Sequence, residues 1–196
     1  MNYYKATRPN GTDFRTGTVN YAAALATGEI IRHPAKRVRD QPWTYLSVST
    51  APADCTGMEW PCRLFRVEPI GRTMKATRLP NKRACSALRV VEELPAWQAL
   101  GPNGQQVAAV IKQACAITRE QANQLVEPWT PEREQALISL SRAAVASRTV
   151  ACAACEGWGP RGARVVVIAY VVRDLITPEQ FQLLTAQWLS VVGEPS

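Results

Sequence analysis

The sequence predicts an α+β protein: a small, mainly antiparallel sheet domain over residues 1–95, followed by a helical region over 96–196. Three observations carry that reading. Up to Pro95 the apolar residues gather in short β-branched or aromatic segments bounded by Pro and Gly, which is the signature of strands. Their connections are irregular and lack β-α-β spacing, so antiparallel pairing is favoured over a doubly wound sheet. After Pro95 the apolar residues recur at helical spacing, and each run is announced by a helix-start signal.

Taken in order, Tyr3 to Thr7 is the first strand, closed by Asn10-Gly11, a pair suited to the positive φ of a tight turn. Val19 to Thr27 is rich in Ala and Leu and stops at Gly28, so it reads as a short helix with a left-handed cap. Thr44 to Thr50, Arg63 to Val67 and Leu88 to Leu94 are the further strands. Beyond Pro95, Asn103-Gly104 precedes Val107, Val110, Ile111 and Ala114, and Thr118 with Gln121 makes a capping box. Thr130-Pro131 places a hydroxyl cap before a proline in the first turn. From Pro131 the pattern predicts a helix to about Glu156, with Leu137, Leu140, Ala144, Ser147 and Ala151 along one narrow face. Arg164 to Leu175 is apolar enough for a strand or a buried helix; its place between helices selects helix. Thr177-Pro178-Glu179-Gln180 opens the last helix, with Phe181, Leu184, Trp188 and Val191 as its docking face.

The charge divides the chain in the same way. Residues 1 to 95 hold 15 Lys and Arg against 8 Asp and Glu, and residues 96 to 196 hold 8 against 8, so the formal +7 belongs to the first half. Two basic clusters stand out, both read as loops: Arg32, His33, Lys36, Arg37 and Arg39, then Lys75, Arg78, Lys82 and Arg83 around Pro80-Asn81. Clustered cations concentrate polyanions and release counterions from each phosphate they neutralise. Nucleic acid is therefore the expected partner, with a host protein as the other candidate, and these nine residues form the expected contact surface. The longest apolar run, Val165 to Val172, is too short to span a bilayer, and the N-terminus lacks a secretory pattern, so a cytoplasmic protein with no membrane partner is expected.

Several stretches resemble a group of small proteins encoded by actinobacterial phages and their hosts. They are Tyr4 to Pro9 with Asp13 to Gly17, Tyr45 to Thr50, Pro61 to Pro69, Leu88 to Pro95 leading into Trp97 to Gly104, and Val172 to Phe181. The likeness covers the N-terminal half and the last helix. Between them that group carries an Ala-rich helical segment, often repetitive in Trp, Asp, Ala and Arg, whereas this chain has no clean repeat. The resemblance implies a phage accessory protein inside the host cell and brings no catalytic residue with it. Self-association through the helical region, as in a structural assembly protein, is the companion expectation.

The enzymatic alternative is a site similar to that of ADP-ribosyltransferases, which set a cation on an early strand, a Ser-Thr pair on a middle strand and a Glu on a later one. That order implies Lys5 or Arg8 for an NAD phosphate, Ser49 and Thr50 for the ribose, and Glu92 or Glu93 for the cationic sugar. The departures are Lys5 where that family has Arg, and adjacent glutamates that point to opposite faces of a strand. Cys152 and Cys155 form a single CxxC, half a zinc site; Cys55 and Cys62 are the nearest other pair, loosely spaced, so no metal is expected. At i and i+3 on a helix the two thiols read instead as small packing groups. His33, the one histidine, sits in a basic run and suits phosphate contact better than proton abstraction. The six tryptophans are spread along the chain as packing anchors.

Overall fold

The computed structural model describes residues 2–55, 58–76, 79–125, 130–147 and 161–195. The chain divides into two compact units, Met1–Ala99 and Leu100–Ser196. The protein is α+β, with an antiparallel sheet in the N-terminal half. Among the described residues, seven strands form that sheet: β1 (Tyr3–Thr7), β2 (Ile30–Arg32), β3 (Leu46–Ser49), β4 (Arg63–Pro69), β5 (Met74–Lys75), β6 (Lys82–Cys85) and β7 (Ala87–Leu94), in the order β2-β7-β4-β1-β3-β6-β5. Every pairing is antiparallel.

Ser86 alone separates β6 from β7, yet β3, β1 and β4 lie between them in the sheet. In a flat sheet four inter-strand steps span about 19 Å, whereas the Cα atoms of Cys85 and Ala87 can stand no more than about 7 Å apart. The sheet must therefore curl until these ends meet. Residues 82–94 act as one strand bent at Ser86, and with β1, β3 and β4 they surround a common interior. Leu46, Val48, Phe65, Val67, Cys85, Leu88 and Val90 fill it, each at most 5% exposed. The register puts Lys5 opposite Phe65 on this inner face.

The helix α1 (Tyr21–Thr27) closes the interior. Asn20 caps it by accepting from the Ala23 N–H, and Gly28 ends it at φ 72°. Its buried Tyr21 stacks with Phe65 at 6.4 Å between centroids. The turn before it brings Gly11, at φ 85°, against the helix, where the Gly11 carbonyl accepts from the Tyr21 N–H at 2.8 Å. On the outer face, Leu64 and Ala84 are also buried, and the connection after β3 contributes buried Cys55, Met58 and Cys62. β4 is thus covered on both sides, so Leu64 and Phe65 are adjacent and both fully buried.

The strands expected at 3–7, 63–67 and 88–94 form, the second running on to Pro69 and the third starting at Ala87. The strand expected from Thr44 begins at Leu46, because Pro42–Thr44 makes a 3-10 turn. The helix expected from Val19 starts at Tyr21. The second basic cluster is corrected from loop to strand: Lys75 lies in β5, and Lys82 and Arg83 lie in β6, paired across the Pro80-Asn81 turn. β2 and β5, three and two residues long, are too short to show a pattern.

The helical unit contains α2 (Gly104–Ala116), α3 (Arg119–Gln124), α4 (Pro131–Ser147), α5 (Arg161–Val171) and α6 (Pro178–Val191). The capping boxes at Thr118 and Thr177 both form, and Thr130 accepts from the Arg133 N–H. Asn103 makes no side-chain cap; its amide donates to Asp174 at 3.2 Å. The 164–175 segment is helical, as α5 followed by a 3-10 turn over Arg173–Leu175. Ala163, Val166, Val167, Ala169, Tyr170 and Val171 are buried, so α5 is the centre against which α2, α4 and α6 pack. The buried face of α4 is Ala136, Leu140 and Ala143, turned from the expected face, on which Leu137 and Ala144 are half-buried. The part of that helix expected beyond 147, including Cys152 and Cys155, lies outside the described residues. Leu184 and Trp188 of α6 are buried, and Tyr170 meets Phe181 edge-on at 5.0 Å. No helix among the described residues is long and apolar enough to cross a membrane.

Two pairs of substitutions test this packing. A Cβ on Gly11 would stand 2.4 Å from the Ala22 Cβ, whereas one on Gly28 meets nothing within 4 Å. Gly11→Ala should cost about 2–4 kcal/mol in chemical denaturation and Gly28→Ala about 1 kcal/mol, the latter from backbone strain alone. Trp188 is 1% exposed and its indole N–H has no acceptor among the described residues. Trp188→Ala should cost about 3–5 kcal/mol. Trp188→Phe should cost much less, since it keeps most of the apolar bulk and removes an unsatisfied donor.

Candidate functional site: a cationic cavity on the N-terminal unit

A cavity of about 210 Å³ opens on the N-terminal unit, lined among others by Lys5, Asp13, Arg15, Tyr21, Arg32, His33 and Tyr45. Each wall has a local cause. Lys5 arrives on β1 at the inner face of the sheet, with its ammonium 5.5 Å from the centroid of the Tyr21 ring. The loop before α1 is folded around Asp13, whose carboxylate accepts from the Thr16 N–H (2.7 Å), the Thr16 hydroxyl (2.8 Å) and the Val19 N–H (3.0 Å). Arg8 buttresses the same loop by donating to the Phe14 carbonyl at 2.9 Å. Arg32 and His33 stand where β2 ends, held by the His33 N–H donating to the Ser86 carbonyl at 2.8 Å. The opposite wall, Pro42 to Ser47, is the turn into β3.

The electrostatics are lopsided. Among the described residues, Lys5 Nζ has no hydrogen-bond acceptor; it faces the Tyr21 ring. Burial pushes its pKa down, against the opposing pull of Cys55 and Asp13. Burial would raise the Asp13 carboxyl, but the Thr16 and Val19 hydrogen bonds and the Lys5 charge prevail and hold it below the usual value. The Asp13 oxygens are thus committed to their own loop. Burial raises the Tyr21 and Tyr45 phenols, which stay neutral. His33 Nδ1 accepts from the Ala35 N–H at 3.1 Å, leaving Nε2 as the donor of the neutral ring. Arg15 and Arg32 are exposed at the rim.

Of the nine residues expected to contact nucleic acid, Arg32 and His33 line this cavity, and Lys36 and Arg39 lie exposed in the connection that follows. Arg37 instead pins that connection to the sheet, its guanidinium donating to the carbonyls of Arg72 and Ala84 (3.0 Å to the latter). Lys75 is exposed on β5, and Arg83 donates to the carbonyls of Pro80 and Lys82. Lys82 is only 6% exposed and donates to Ser49 Oγ at 2.8 Å, so it is a packing group of β6 rather than a surface cation. Arg78 lies outside the described residues.

The residues of the NAD reading do not converge. Ser49 is fully buried, donates to the Asp54 carbonyl at 2.9 Å and receives the Lys82 ammonium. The Thr50 N–H donates to the Asn81 carbonyl. Glu93 is forked by Arg63 at 2.7 and 2.6 Å, and Glu92 is held by Arg66, each across the β4–β7 ladder. Only Lys5 of that set lines the cavity. Nothing in the sequence singles out Asp13, Arg15, Tyr21 and Tyr45, because no spacing connects residues gathered from a loop, a helix and a turn. Asp13-x-x-Thr16 is the one signal that could have found any of them, an acidic side chain placed to cap its own turn. Cys55, Cys62 and Cys85 are buried free thiols, and among the described residues no group of three or more His, Cys, Asp or Glu could hold a metal ion.

The buried Lys82 yields a pH test. Its ammonium falls from 10.5 to about 8 through burial, with Lys5 pushing the same way. The unfolded chain therefore binds the extra proton between those values, and this contribution to stability rises with pH across that window. The Cys62 and Cys85 thiols, raised by burial from 9.0 to about 12, oppose it above pH 9. Lys82→Met leaves Ser49 its bond to Asp54 and should gain about 1 kcal/mol less than the parent between about pH 7.5 and 9. Equal gains in urea denaturation would show that Lys82 carries no such penalty.

Compared with family models, curated proteins and solved structures, the chain matches none, and its function is read from the geometry of this cavity and its rim.

Proposed function

We propose that the N-terminal unit is a nucleic-acid-binding interaction module, in the accessory role that the sequence resemblance implies, and that its contact surface is centred on the cavity. The observation that carries this is the gathering of Lys5, Arg15, Arg32 and His33 around one opening. Other arginines of the unit are neutralised where they stand: Arg63 by Glu93, and Arg66 by Glu92 and Glu68. The positive excess is therefore uneven over the surface. Exposed Lys36 and Arg39 extend it along the connection after β2. Cations in this arrangement attract phosphates by counterion release, which predicts affinity without strong sequence preference and with steep salt dependence. No observation favours the NAD reading, since Ser49 is sealed and both glutamates are engaged by arginines.

The test is fluorescence anisotropy with a labelled single strand and a labelled duplex at about 50 and 200 mM salt. Binding should weaken at the higher salt by about tenfold for every two to three phosphates neutralised. Arg15→Ala with Arg32→Ala should flatten the log–log salt dependence by about 2, one for each phosphate that is no longer neutralised. Arg63→Ala, a cation already paired, should leave the slope unchanged. Absence of binding to either nucleic acid at low salt would overturn the reading and turn attention to a protein partner.

A further inference from the structure

Resting on that reading, we propose that the cavity receives the terminal phosphomonoester of a nucleic-acid strand, so that the module recognises strand ends. Depth is the first argument. Lys5 lies on the inner face of the curled sheet, over a Tyr21 ring that is 1% exposed, whereas Arg15 and Arg32 are exposed. The sugar-phosphate backbone of a continuous duplex can reach Arg15 and Arg32 but cannot bend into a cavity of about 210 Å³. That volume is below the ~300 Å³ at which pockets for whole drug-sized ligands begin. It suits one end group.

Charge is the second. Lys5 Nζ has no hydrogen-bond acceptor among the described residues, and Asp13 has spent its oxygens on Thr16 and Val19. Of the other polar lining groups, Arg15 and Arg32 can only donate, His33 Nε2 donates, and the Thr16, Thr18, Tyr45 and Ser47 hydroxyls can donate or accept. A terminal phosphomonoester brings nearly two negative charges and three acceptor oxygens, whereas an internal diester brings one charge and is tethered on both sides. An ammonium without a hydrogen-bond acceptor among the described residues gains most from the more highly charged group. The third argument is an exposed aromatic residue next in sequence to the cavity wall. Trp43 is 63% exposed and is next in the chain to Pro42 of the cavity wall. An indole face in that position can stack the terminal base, an interaction open to any of the four bases.

The experiment compares one labelled oligonucleotide sequence with a 5′-phosphate, a 3′-phosphate or hydroxyls at both ends, at fixed salt, on the full chain. One phosphorylated form should bind about tenfold or more tightly than the hydroxyl form, the scale of one additional charge-assisted hydrogen bond. Lys5→Met keeps the stem against Tyr21 and removes the buried charge, so it should fold at least as stably as the parent, which thermal denaturation checks. In that variant the preference should shrink to within about twofold, whereas Arg63→Ala, a cation already paired, should keep both the preference and the salt-dependent affinity for the hydroxyl form. Equal binding of all three forms by the parent would overturn end recognition and leave the proposed nucleic-acid surface standing. A preference unchanged in Lys5→Met would also overturn the assignment to this cavity. Failure of every form to bind would remove the nucleic-acid reading itself.

Discussion

One residue, Ser86, carries the chain from β6 to β7, and the rest of the N-terminal unit is organised by what that requires. Two strands joined so tightly must begin and end side by side, yet three other strands stand between them in the hydrogen-bonded order. Curling reconciles the two, and it gives the sheet an inside. Opposite Arg66 and Val67 of β4 the register skips Val91, so β7 carries an extra residue there, and such a bulge increases local twist. The Ser86 carbonyl then accepts from the His33 N–H, so the corner also anchors the end of β2, which brings Arg32 and His33 to the cavity.

Each face of the curled sheet holds a lysine, Lys5 on the inner face and Lys82, beside Ser49, on the outer one. Burial depresses both Lys5 and Lys82, and the two differ in what stands next to the ammonium. Lys82 has a neutral acceptor in Ser49, which itself is tied to Asp54, so the ammonium is fixed within the packing. Lys5 has the face of Tyr21 and an opening beside it. The same cost of desolvation thus has two outcomes. At Lys82 it is offset internally; at Lys5 no acceptor among the described residues offsets it.

The arginines show the complementary arrangement. On the β4–β7 ladder, cross-strand carboxylates neutralise them, and the Arg63–Glu93 fork, about one third exposed on each side, contributes no more than about 1 kcal/mol. Its larger effect is on where the surface field points. With β4 neutralised and Arg37 consumed in holding the connection after β2 to the sheet, attraction for an anion falls to the cavity rim and to Lys36 and Arg39. The helical unit has a balanced charge in its half of the sequence and a core of Ala, Val and one buried Trp around α5, which fits a packing role.

Much of the local structure was legible in the sequence because it depends on neighbours in the chain. Gly28 at the end of α1, Thr118 with Gln121, and Thr177 with Gln180 act over two to four residues, and their hydrogen bonds are those expected. The β-branched runs of β3, β4 and β7 were equally plain, as was the α+β class. Short strands were not: β2 and β5 exist by pairing with β7 and β6, and their own residues show no period. The tertiary structure alone decided that Lys82 is buried, Lys5 half-buried at a cavity and Lys75 exposed, because the three look alike as residues. It also decided that Arg37 and Arg83 bond to carbonyls of the protein, that Ser49 is sealed, and that Arg15 and Tyr45, far apart in the chain, share a cavity with Lys5. The physical reason is the same throughout: caps, turns and strand propensity are settled within a few residues, whereas burial and charge environment are set by sheet closure, which brings together residues distant in sequence.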